Sequence, residues 1–244
     1  MSPVAVVLAA GKGTRMGSDL PKVLHLLLGE PLVVHPIRAA RAAGVAAIVL
    51  VVGHGAAAVQ AALAPMYPDL RYALQVEQRG TGHAVLCALP ELADHDGPVL
   101  ILSGDVPGLR PATLRALVER CAASGAGLAL ATFTPEDPRG YGRIVRGEDG
   151  QVRAIVEERD ADADTRAIRE CNAGVYCAAA GLLRRELPNI GTANAQGEIY
   201  LTDLVARVAS AGVAGLAVPA DEVAGVNTPE QLAAIARDMS VRTG

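Results

Sequence analysis

Short runs of valine, isoleucine and leucine alternate along the first half of the chain with alanine-rich stretches of helical periodicity. Such runs are typical of parallel strands buried on both faces, and the alternation is typical of strands joined by crossover helices. The runs predict five strands, over 4–8, 48–52, 71–74, 99–102 and 128–133. Helices are predicted between them, over 37–43, 56–63, 83–89 and 113–122. We therefore expect an α/β fold of the Rossmann-like, doubly wound kind, with a mainly parallel sheet.

The pattern changes after Pro135. Apolar runs over 143–146 and 152–157 flank an Asp-Gly pair at 149–150, and such a pair between two apolar runs is a strong signal for a β-hairpin. We therefore expect a strand-rich insertion to follow the first half of the chain. The remaining pattern predicts a helix over 198–210, a strand over 213–218 and a last helix over 229–237.

The bulk composition indicates one domain with a large core. The chain has 244 residues, of which 51% are hydrophobic, and a doubly wound domain of this length is often a single unit. We expect one domain over 1–244. It divides into a first half over about 1–134, a second half over about 135–227, and a C-terminal helix and tail over 228–244.

Charge, aromatic content and cysteine usage exclude several classes of partner. The formal net charge of −4 argues against a basic surface for long nucleic acid, and 2% aromatic residues without tryptophan argue against base-stacking platforms. The four cysteines form no C-x-x-C pair, which is typical of reduced thiols. No signal segment or membrane-spanning apolar run is evident. We expect a cytoplasmic protein without nucleic-acid or membrane partners.

The segment 8–22 carries the richest chemistry. It leaves the first predicted strand, holds glycine at 11, 13 and 17, and contains the cations Lys12, Arg15 and Lys22. Backbone N–H groups next to glycine can approach phosphate oxygens closely, while the cations neutralise them. The segment therefore predicts a phosphate-binding loop. Its spacing matches neither G-x-G-x-x-G nor a Walker loop, so an ordinary glycine turn is the alternative.

Lysine usage supports the phosphate-binding interpretation. Of 22 basic residues only Lys12 and Lys22 are lysine, and both lie in this segment. Lysine is a compact point charge suited to phosphate, unlike the planar arginine fork. A chain so biased towards arginine has kept lysine here, which indicates a chemical requirement for at least one of the two. The alternative is chance placement of a solvated charge.

A second cluster lies just after the third predicted strand. Gln75 and Gln78 offer both a donor and an acceptor to a pyrimidine edge, and the Gly-Thr-Gly turn at 80–82 lets the main chain approach a base or sugar. The cluster predicts a base-reading edge, although glutamine in a loop is more often solvated. His83 is a possible general base, but at a helix start a structural hydrogen-bonding role is favoured.

A third cluster places a single carboxylate at the end of a strand. Asp105 follows the apolar run 99–102, and the carboxyl ends of strands in an open α/β sheet line the crevice where ligands bind. Oxygen ligands suit Mg²⁺ that carries substrate phosphates. Asp105 is therefore predicted to bind a metal ion, with capping of the next turn as the alternative.

Taken together, these segments resemble the nucleotide-transfer domain of the bacterial family of bifunctional N-acetylglucosamine-1-phosphate uridyltransferase/glucosamine-1-phosphate acetyltransferases. One matching segment would be weak, whereas ten in the family's order are specific. The resemblance covers nearly the whole chain and rests on 8–16, 20–24, 75–83, 104–107, 140–143, 155–157, 172, 194–198, 200–203 and 225–227.

The resemblance implies a division of the site residues by ligand. Arg15 and Lys22 would meet the phosphates as catalytic cations, and Asp105 and Asn227 would bind Mg²⁺. The nucleotide-binding residues that it implies are Leu8, Ala9, Ala10, Gly11, Gly13, Gln75, Gln78, Gly80, Thr81 and Gly104. The sugar-binding residues that it implies are Thr81, Gly142, Glu157, Asn172, Tyr200 and Thr202.

The resemblance also implies a reaction and its substrates. The expected activity is uridylyl transfer from UTP to N-acetylglucosamine 1-phosphate, giving pyrophosphate and UDP-N-acetylglucosamine for peptidoglycan and cell-wall synthesis. The 1–134 half would then bind the nucleotide and the strand-rich 135–227 half would bind the sugar. An ionised phosphate needs little help from a general base, so we expect catalysis by positioning and charge neutralisation.

Two departures from the family pattern change the expectations. The family usually has lysine where this chain has Arg159, which leaves the role of that position open. The family's acetyltransferase half, a left-handed β-helix of hexapeptide repeats, is not found within 1–244. We therefore expect no acetyl transfer. Because the β-helix builds the family's trimer, we also expect a monomer or a weak oligomer.

Two alternatives stay open at this stage. The first is the same chemistry with another substrate, namely thymidylyl or cytidylyl transfer, or transfer to glucose 1-phosphate, because Gln75 and Gln78 alone do not separate uracil from thymine. The second is a nucleotide sensor without catalysis. A sensor is expected to have lost charges at the site, yet Arg15, Lys22 and Asp105 are all present.

Overall fold

Eleven strands and nine helices are formed by residues 1–243, which the computed structural model describes. The strands are β1 (Val4–Ala9), β2 (Leu26–Leu27), β3 (Glu30–Pro31), β4 (Ala47–Val52), β5 (Arg71–Leu74), β6 (Pro98–Ser103), β7 (Leu128–Phe133), β8 (Arg143–Arg146), β9 (Val152–Val156), β10 (Cys171–Ala179) and β11 (Ala214–Ala217). The helices are α1 (Val34–Ala43), α2 (Ala56–Leu63), α3 (Thr81–Ala88), α4 (Pro111–Ala123), α5 (Ala163–Ala167), α6 (Ala180–Glu186), α7 (Asp203–Val208), α8 (Ala220–Val223) and α9 (Pro229–Thr243).

One mainly parallel sheet organises the molecule, so the predicted α/β class is confirmed. The strand order is β11-β7-β10-β6-β1-β4-β5, and the β8–β9 hairpin joins this path through β10. β1 pairs in parallel with β4 and β6, β4 with β5, and β7 with β11. β10 runs antiparallel to both of its long neighbours, β6 and β7.

The strands are apolar throughout because both faces of the sheet are covered. Along β1, Ala5 and Val7 belong to one buried cluster, whereas Val4 and Val6 belong to another. Successive side chains of a strand point to opposite faces, so a strand with helices on both sides needs apolar residues at every position. Among residues 1–243, no helix is both long and apolar enough to cross a bilayer.

Most predicted elements are confirmed. The five predicted strands are β1, β4, β5, β6 and β7, each within one residue of its expected ends. The four helices between them are α1 to α4, and the Asp-Gly pair lies in the turn of the β8–β9 hairpin, where Gly150 has φ of 75°. The strand at 213–218 is β11, and the last helix, α9, continues to Thr243.

The predicted helix over 198–210 is wrong at its start. The helix α7 begins at Asp203, and residues 198–202 form a turn that packs against the start of α3. The backbone N–H of Ile199 donates to the Arg79 carbonyl at 2.8 Å, and the Gly82 N–H donates to the Ile199 carbonyl at 2.8 Å. These bonds to a distant loop replace the helical bonds that the apolar spacing favours.

The strand β10 was not predicted. It is nine residues long, and its apolar run is interrupted by Asn172 and by Gly174, which has φ of 70°. The pairing with β7 shifts register between Asn172 and Tyr176, as at a β-bulge. A bulged strand of small residues lacks both the apolar run and the strict alternation that identify a strand in a sequence.

Candidate active site

The site lies at one edge of the sheet, where several strand ends meet. β1, β4, β5 and β6 are parallel neighbours, so their carboxyl ends point to the same edge. β10 is antiparallel and therefore brings its amino end, with Asn172, to that edge. Ligands of open α/β sheets bind at this edge. The sequence segments at 10–13, 75–83 and 104–107 are thereby brought together.

The loop after β1 is held in shape by two glycines. Gly13 and Gly17 have φ of 61° and 62° and flank a short 3-10 turn over Thr14–Met16. A Cβ atom on Gly13 would lie 2.5 Å from Cβ of Lys22, so only glycine allows this approach. The contact brings Lys22 back beside the start of the loop.

Four polar side chains, Arg15, Lys22, Asp105 and Asn227, converge beside this loop and are called the cation cluster below. The Lys22 ammonium donates to the Asp105 carboxylate and, at 3.3 Å, to the Asn227 side-chain oxygen. Arg15 donates to the same Asn227 oxygen at 2.9 Å. The structure thus joins the two predicted catalytic cations to the two predicted metal ligands, which are separated by up to 212 positions.

The backbone explains why Asn227 reaches Asp105. Asp105 follows β6, and its carbonyl accepts a hydrogen bond from the Val226 N–H at 2.9 Å, which fixes the residue next to Asn227. The Lys22 and Asp105 side chains are 15% and 20% exposed. The ion pair is therefore largely shielded from water, while a small part of each side chain stays accessible.

The oxygen ligands fit a magnesium ion that keeps substrate or water ligands. Asp105 and Asn227 offer a carboxylate and an amide oxygen, and a cation already lies between them in the form of the Lys22 ammonium. Within residues 1–243 no group of three or more His, Cys, Asp or Glu side chains could hold a metal by itself. Mg²⁺ is commonly bound through one or two carboxylates together with substrate phosphates, so a sparse set of protein ligands is compatible with it.

A cleft of about 220 Å³ forms the base-binding candidate, and it is connected to the cation cluster through Leu8, whose carbonyl bonds the N–H of Gly104 next to Asp105. The side chain of Gln78 lines this cleft and donates a hydrogen bond to the Ala10 carbonyl at 2.6 Å. Its walls are formed by Leu8, Ala10, Gly11, Gln75, Gln78, Gly80, Thr81, Ala84 and Glu198. Seven of these were predicted as nucleotide-binding residues, whereas Ala84 and Glu198 were not.

Three predicted nucleotide-binding residues have a different environment. Ala9 is a buried strand residue, and Gly13 packs on Lys22 as described above. Gly104 donates its N–H to the Leu8 carbonyl at 2.9 Å, and a Cβ atom there would lie 2.9 Å from that oxygen. Gly104 therefore allows the strand ends of β1 and β6 to come close together beneath the cleft.

The floor of the cleft joins the 75–83 loop to the 198–202 turn. Gly80 has φ of 102°, and a Cβ atom on it would lie 2.5 Å from the Ile199 carbonyl oxygen. The Thr81 hydroxyl oxygen accepts a hydrogen bond from the Leu201 N–H at 3.1 Å. Thr81 was predicted to contact both ligands, and it lies at the junction between the two predicted regions.

The predicted sugar-binding residues form two connected groups. In the first, Thr202 donates to the Glu157 carboxylate at 3.0 Å. Burial raises the pKa of Glu157, and the hydrogen bond from Thr202 partly opposes that rise. Gly142 packs under Glu157, since a Cβ atom there would lie 3.5 Å from its carboxyl group. The first group thus presents a shielded carboxyl whose pKa lies above its usual range.

The second group is centred on Asn172. Its backbone N–H donates to the Gly142 carbonyl at 2.8 Å, which connects the two groups. The Asn172 side chain donates to the Tyr176 hydroxyl at 2.6 Å and accepts from the Gly174 N–H at 3.1 Å. Tyr200 is buried, and its pKa is raised to about 12. Burial is the larger cause, and the nearby carboxylates of Asp160, Glu157 and Glu198 add to it.

Lys12 and Arg159 lie outside the cation cluster. Lys12 is exposed and lines a neighbouring hollow of about 460 Å³ together with His54 and Glu77. Arg159 is exposed beyond the end of β9. Of the two lysines that the sequence singles out, Lys22 is the one that contacts the predicted metal ligands.

The sheet order and this edge site define an enzyme domain of the nucleotidyltransferase class. The family model described as the MobA-like NTP transferase domain matches residues 5–171, which is more than half of the chain. The chain therefore belongs to the MobA-like NTP transferase family.

The curated relatives narrow the comparison within that class. The protein of Anaeromyxobacter dehalogenans strain 2CP-C named Bifunctional protein GlmU is 53% identical over 238 residues, covering 96% of this chain and 49% of the relative. Proteins of the same name from Geobacter metallireducens and Pelobacter propionicus are 51% and 50% identical over 236 residues. Both comparisons cover 96% of this chain, and 49% and 51% of the relatives. The chain thus spans about half the length of the curated relatives it matches.

Proposed function

We propose that the chain transfers a uridylyl group from UTP to N-acetylglucosamine 1-phosphate, giving UDP-N-acetylglucosamine and pyrophosphate. The observation that carries the proposal is the cation cluster beside the cleft, where Arg15 and Lys22 contact Asp105 and Asn227. The family resemblance of ten ordered segments and the relatives at about 50% identity support the choice of substrates.

The proposed reaction is one in-line displacement. An oxygen of the sugar phosphate attacks the α-phosphorus of UTP, and the bond between that phosphorus and the oxygen bridging to the β-phosphate breaks, so pyrophosphate leaves. The attacking phosphate is already ionised. The residues of the chain therefore have to position two anions and neutralise the charge that accumulates on the α-phosphate and the leaving group.

Arg15 and Lys22 are proposed to supply that neutralisation. Both are held at the cleft by Asn227, and Lys22 is also held by Asp105. Asp105 and Asn227 would hold Mg²⁺, which supplies further charge neutralisation on the phosphates when it is bound. With Asp105 as a metal ligand, the Lys22 ammonium, which pairs with that carboxylate here, would be available to the triphosphate.

The uridine is proposed to occupy the cleft beside Gln75 and Gln78, and the sugar to lie towards Glu157, Asn172 and Thr202. Two features support this arrangement. The cleft is lined by Leu8, whose carbonyl accepts the N–H of Gly104 next to Asp105 of the cation cluster, and Thr81 contacts the turn that carries Thr202. The amide of Asn172 and the hydroxyl of Thr202 suit the acetamido and hydroxyl groups of the sugar.

A direct assay tests the proposal. The purified protein is mixed with UTP, N-acetylglucosamine 1-phosphate and Mg²⁺, and the sugar nucleotide is sought by mass while pyrophosphate release is followed. Parallel reactions with dTTP, CTP or glucose 1-phosphate separate the proposed substrates from those of related transferases. Absence of UDP-N-acetylglucosamine with folded protein and Mg²⁺ would refute the proposal, and tight UTP binding without turnover would favour a nucleotide sensor.

A further inference from the structure

The side chain of Gln75 is buried at the floor of the base cleft and held on one side only. It is 4% exposed, and its backbone N–H donates to the Val52 carbonyl at 2.8 Å. Its side-chain nitrogen lies 3.1 Å from the Gly80 carbonyl oxygen and 3.1 Å from Nδ1 of His83. The position of the carboxamide is therefore fixed by two groups behind the cleft.

The Gly80 carbonyl determines which end of the carboxamide faces these two groups. A carbonyl oxygen only accepts hydrogen bonds, so the group next to it has to be the NH₂ of Gln75 and not its oxygen. The second N–H of that NH₂ then points at Nδ1 of His83, which has to present a lone pair. The ring proton of His83 accordingly resides on Nε2, which lies 3.8 Å from the Cys87 sulfur.

This arrangement leaves the carboxamide oxygen for a ligand. Both N–H groups of Gln75 are used by Gly80 and His83, and the oxygen has no hydrogen-bond partner among residues 1–243. Gln75 lines the cleft, so a base in the cleft meets an acceptor with its orientation already set. The ring N3 of uracil carries an N–H that can donate to this oxygen, whereas N3 of cytosine carries a lone pair that is repelled by it.

We infer that His83 is a positioning residue that, as the second anchor beside the Gly80 carbonyl, holds the oxygen of Gln75 towards the base and so contributes to the pyrimidine selectivity of the cleft. The inference deepens the proposed function and rests on it. Thymine has the same N3–H as uracil, so this contact separates UTP from CTP and leaves UTP and dTTP undistinguished.

The decisive experiment compares His83→Leu with His83→Asn. Leucine removes one of the two acceptors, so one N–H of Gln75 loses its partner and the carboxamide, held by the Gly80 carbonyl alone, can rotate its oxygen out of line with the base. The asparagine side-chain oxygen can stand near the position of Nδ1 and keeps an acceptor there. We expect His83→Leu to lower the ratio of kcat/KM for UTP over CTP by roughly tenfold, the effect of one unpaired buried group, and His83→Asn to retain the ratio of the parent protein.

The dTTP reaction is the internal control. A general loss of structure would lower turnover with UTP, CTP and dTTP together, whereas loss of the Gln75 orientation changes the UTP/CTP ratio and leaves the UTP/dTTP ratio unchanged. An unchanged UTP/CTP ratio in His83→Leu, or an equal fall for all three nucleotides, would overturn the inference. So would a His83→Asn variant as impaired in selectivity as His83→Leu.

Two further measurements keep the inference testable if a variant does not fold or if turnover is absent. The ring ¹⁵N shifts of His83 in the parent protein should show the Nε2–H tautomer, and an Nδ1–H tautomer would contradict the proposed network. Calorimetric binding of UTP and CTP gives the selectivity without the sugar substrate. Preference for UTP without turnover would refute the proposed function and leave the role of His83 intact.

Discussion

Replacement of Arg15 by alanine should separate the chemistry of the site from its stability. Arg15 is exposed, and within residues 1–243 its side chain has one hydrogen bond to another side chain, to the Asn227 oxygen at 2.9 Å. That oxygen keeps the Lys22 ammonium at 3.3 Å when Arg15 is removed, so no buried acceptor is left unpaired. We expect the free energy of unfolding to change by no more than about 0.5 kcal/mol, as for an ordinary surface substitution.

The effect on turnover should be far larger. Removing one preorganised charge donor from a transition state raises the barrier by about 3 kcal/mol, which corresponds to a fall in kcat/KM of roughly 100-fold. The assay is pyrophosphate release with UTP, N-acetylglucosamine 1-phosphate and Mg²⁺, with thermal unfolding measured on the same preparations.

Arg38 provides a matched control for this experiment. It is an arginine of α1 that is 56% exposed and pairs with Glu30 at 2.5 Å, away from the cation cluster. Arg38→Ala should leave turnover unchanged. The reasoning would be refuted by a folded Arg15→Ala protein that turns over within about threefold of the parent, far short of the loss expected for one preorganised donor. A large loss of stability in Arg15→Ala would show that the exposed guanidinium does more for the fold than its contacts indicate.

Three further predictions concern the metal, the backbone and the buried carboxyl. Asp105→Asn should move the midpoint of the Mg²⁺ titration of turnover to higher concentration, because a neutral amide replaces a carboxylate ligand. Gly80→Ala should lower the free energy of unfolding by at least about 2 kcal/mol, or roughly 4–8 °C in Tm for a chain of this size. The reason is that Gly80 has φ of 102°, and an added Cβ atom would lie 2.5 Å from the Ile199 carbonyl oxygen. Glu157→Gln should stabilise the protein at neutral pH, as measured by urea unfolding. Burial raises the pKa of Glu157, so keeping this carboxyl ionised costs free energy in the folded protein but not in the unfolded chain. That gain should shrink as the pH falls and disappear below the ordinary pKa of 4.5, where the carboxyl is protonated in both states.

Each of these three predictions has an outcome that contradicts it. An unchanged Mg²⁺ titration in Asp105→Asn would remove Asp105 from the proposed metal site. For the backbone, Gly181→Ala is the control: it lies in α6 with no atom within 4 Å of the added Cβ, so its Tm should be equal or slightly higher. Equal losses in both glycine variants would count against a specific strain at Gly80. A stability gain in Glu157→Gln that does not vary with pH would exclude ionisation as its cause.

The sequence predicted the parts of this molecule that obey local rules. The strands β1, β4 and β6 are continuous apolar runs because both of their faces are buried, and this pattern is visible without any structure. The glycine turn of the loop after β1 was also visible in the sequence, and its role in phosphate binding, which the cations suggest, stays a prediction.

Other features depend on contacts that no local pattern encodes. Residues 198–202 have helical spacing, yet their backbone bonds to Arg79 and Gly82 from a different part of the chain. The role of Glu198 in lining the cleft follows from that turn, so it could not be predicted from spacing alone. The family resemblance implied that Lys22 and Asn227, which are 205 positions apart, serve one site, but their direct contact was not predicted.

The orientation of Gln75 shows the same limit at the scale of one side chain. A glutamine in a loop sequence offers a donor and an acceptor equally. The choice between them is made by the Gly80 carbonyl and by His83, which reach the carboxamide only after the chain turns into α3. The sequence therefore predicted that Gln75 meets a base, but gave no sign of which atom it presents.

The position of β10 has a consequence for how the chain is made. This strand, over Cys171–Ala179, lies in the middle of the sheet between β6 and β7, both of which leave the ribosome earlier. Until β10 emerges, both strands have an open edge on the side that β10 will occupy, and such edges can pair with other chains. During synthesis there is thus an interval in which the edges of β6 and β7 are unpaired. A chaperone, or fast elongation through residue 179, would protect the nascent protein from aggregation in that interval.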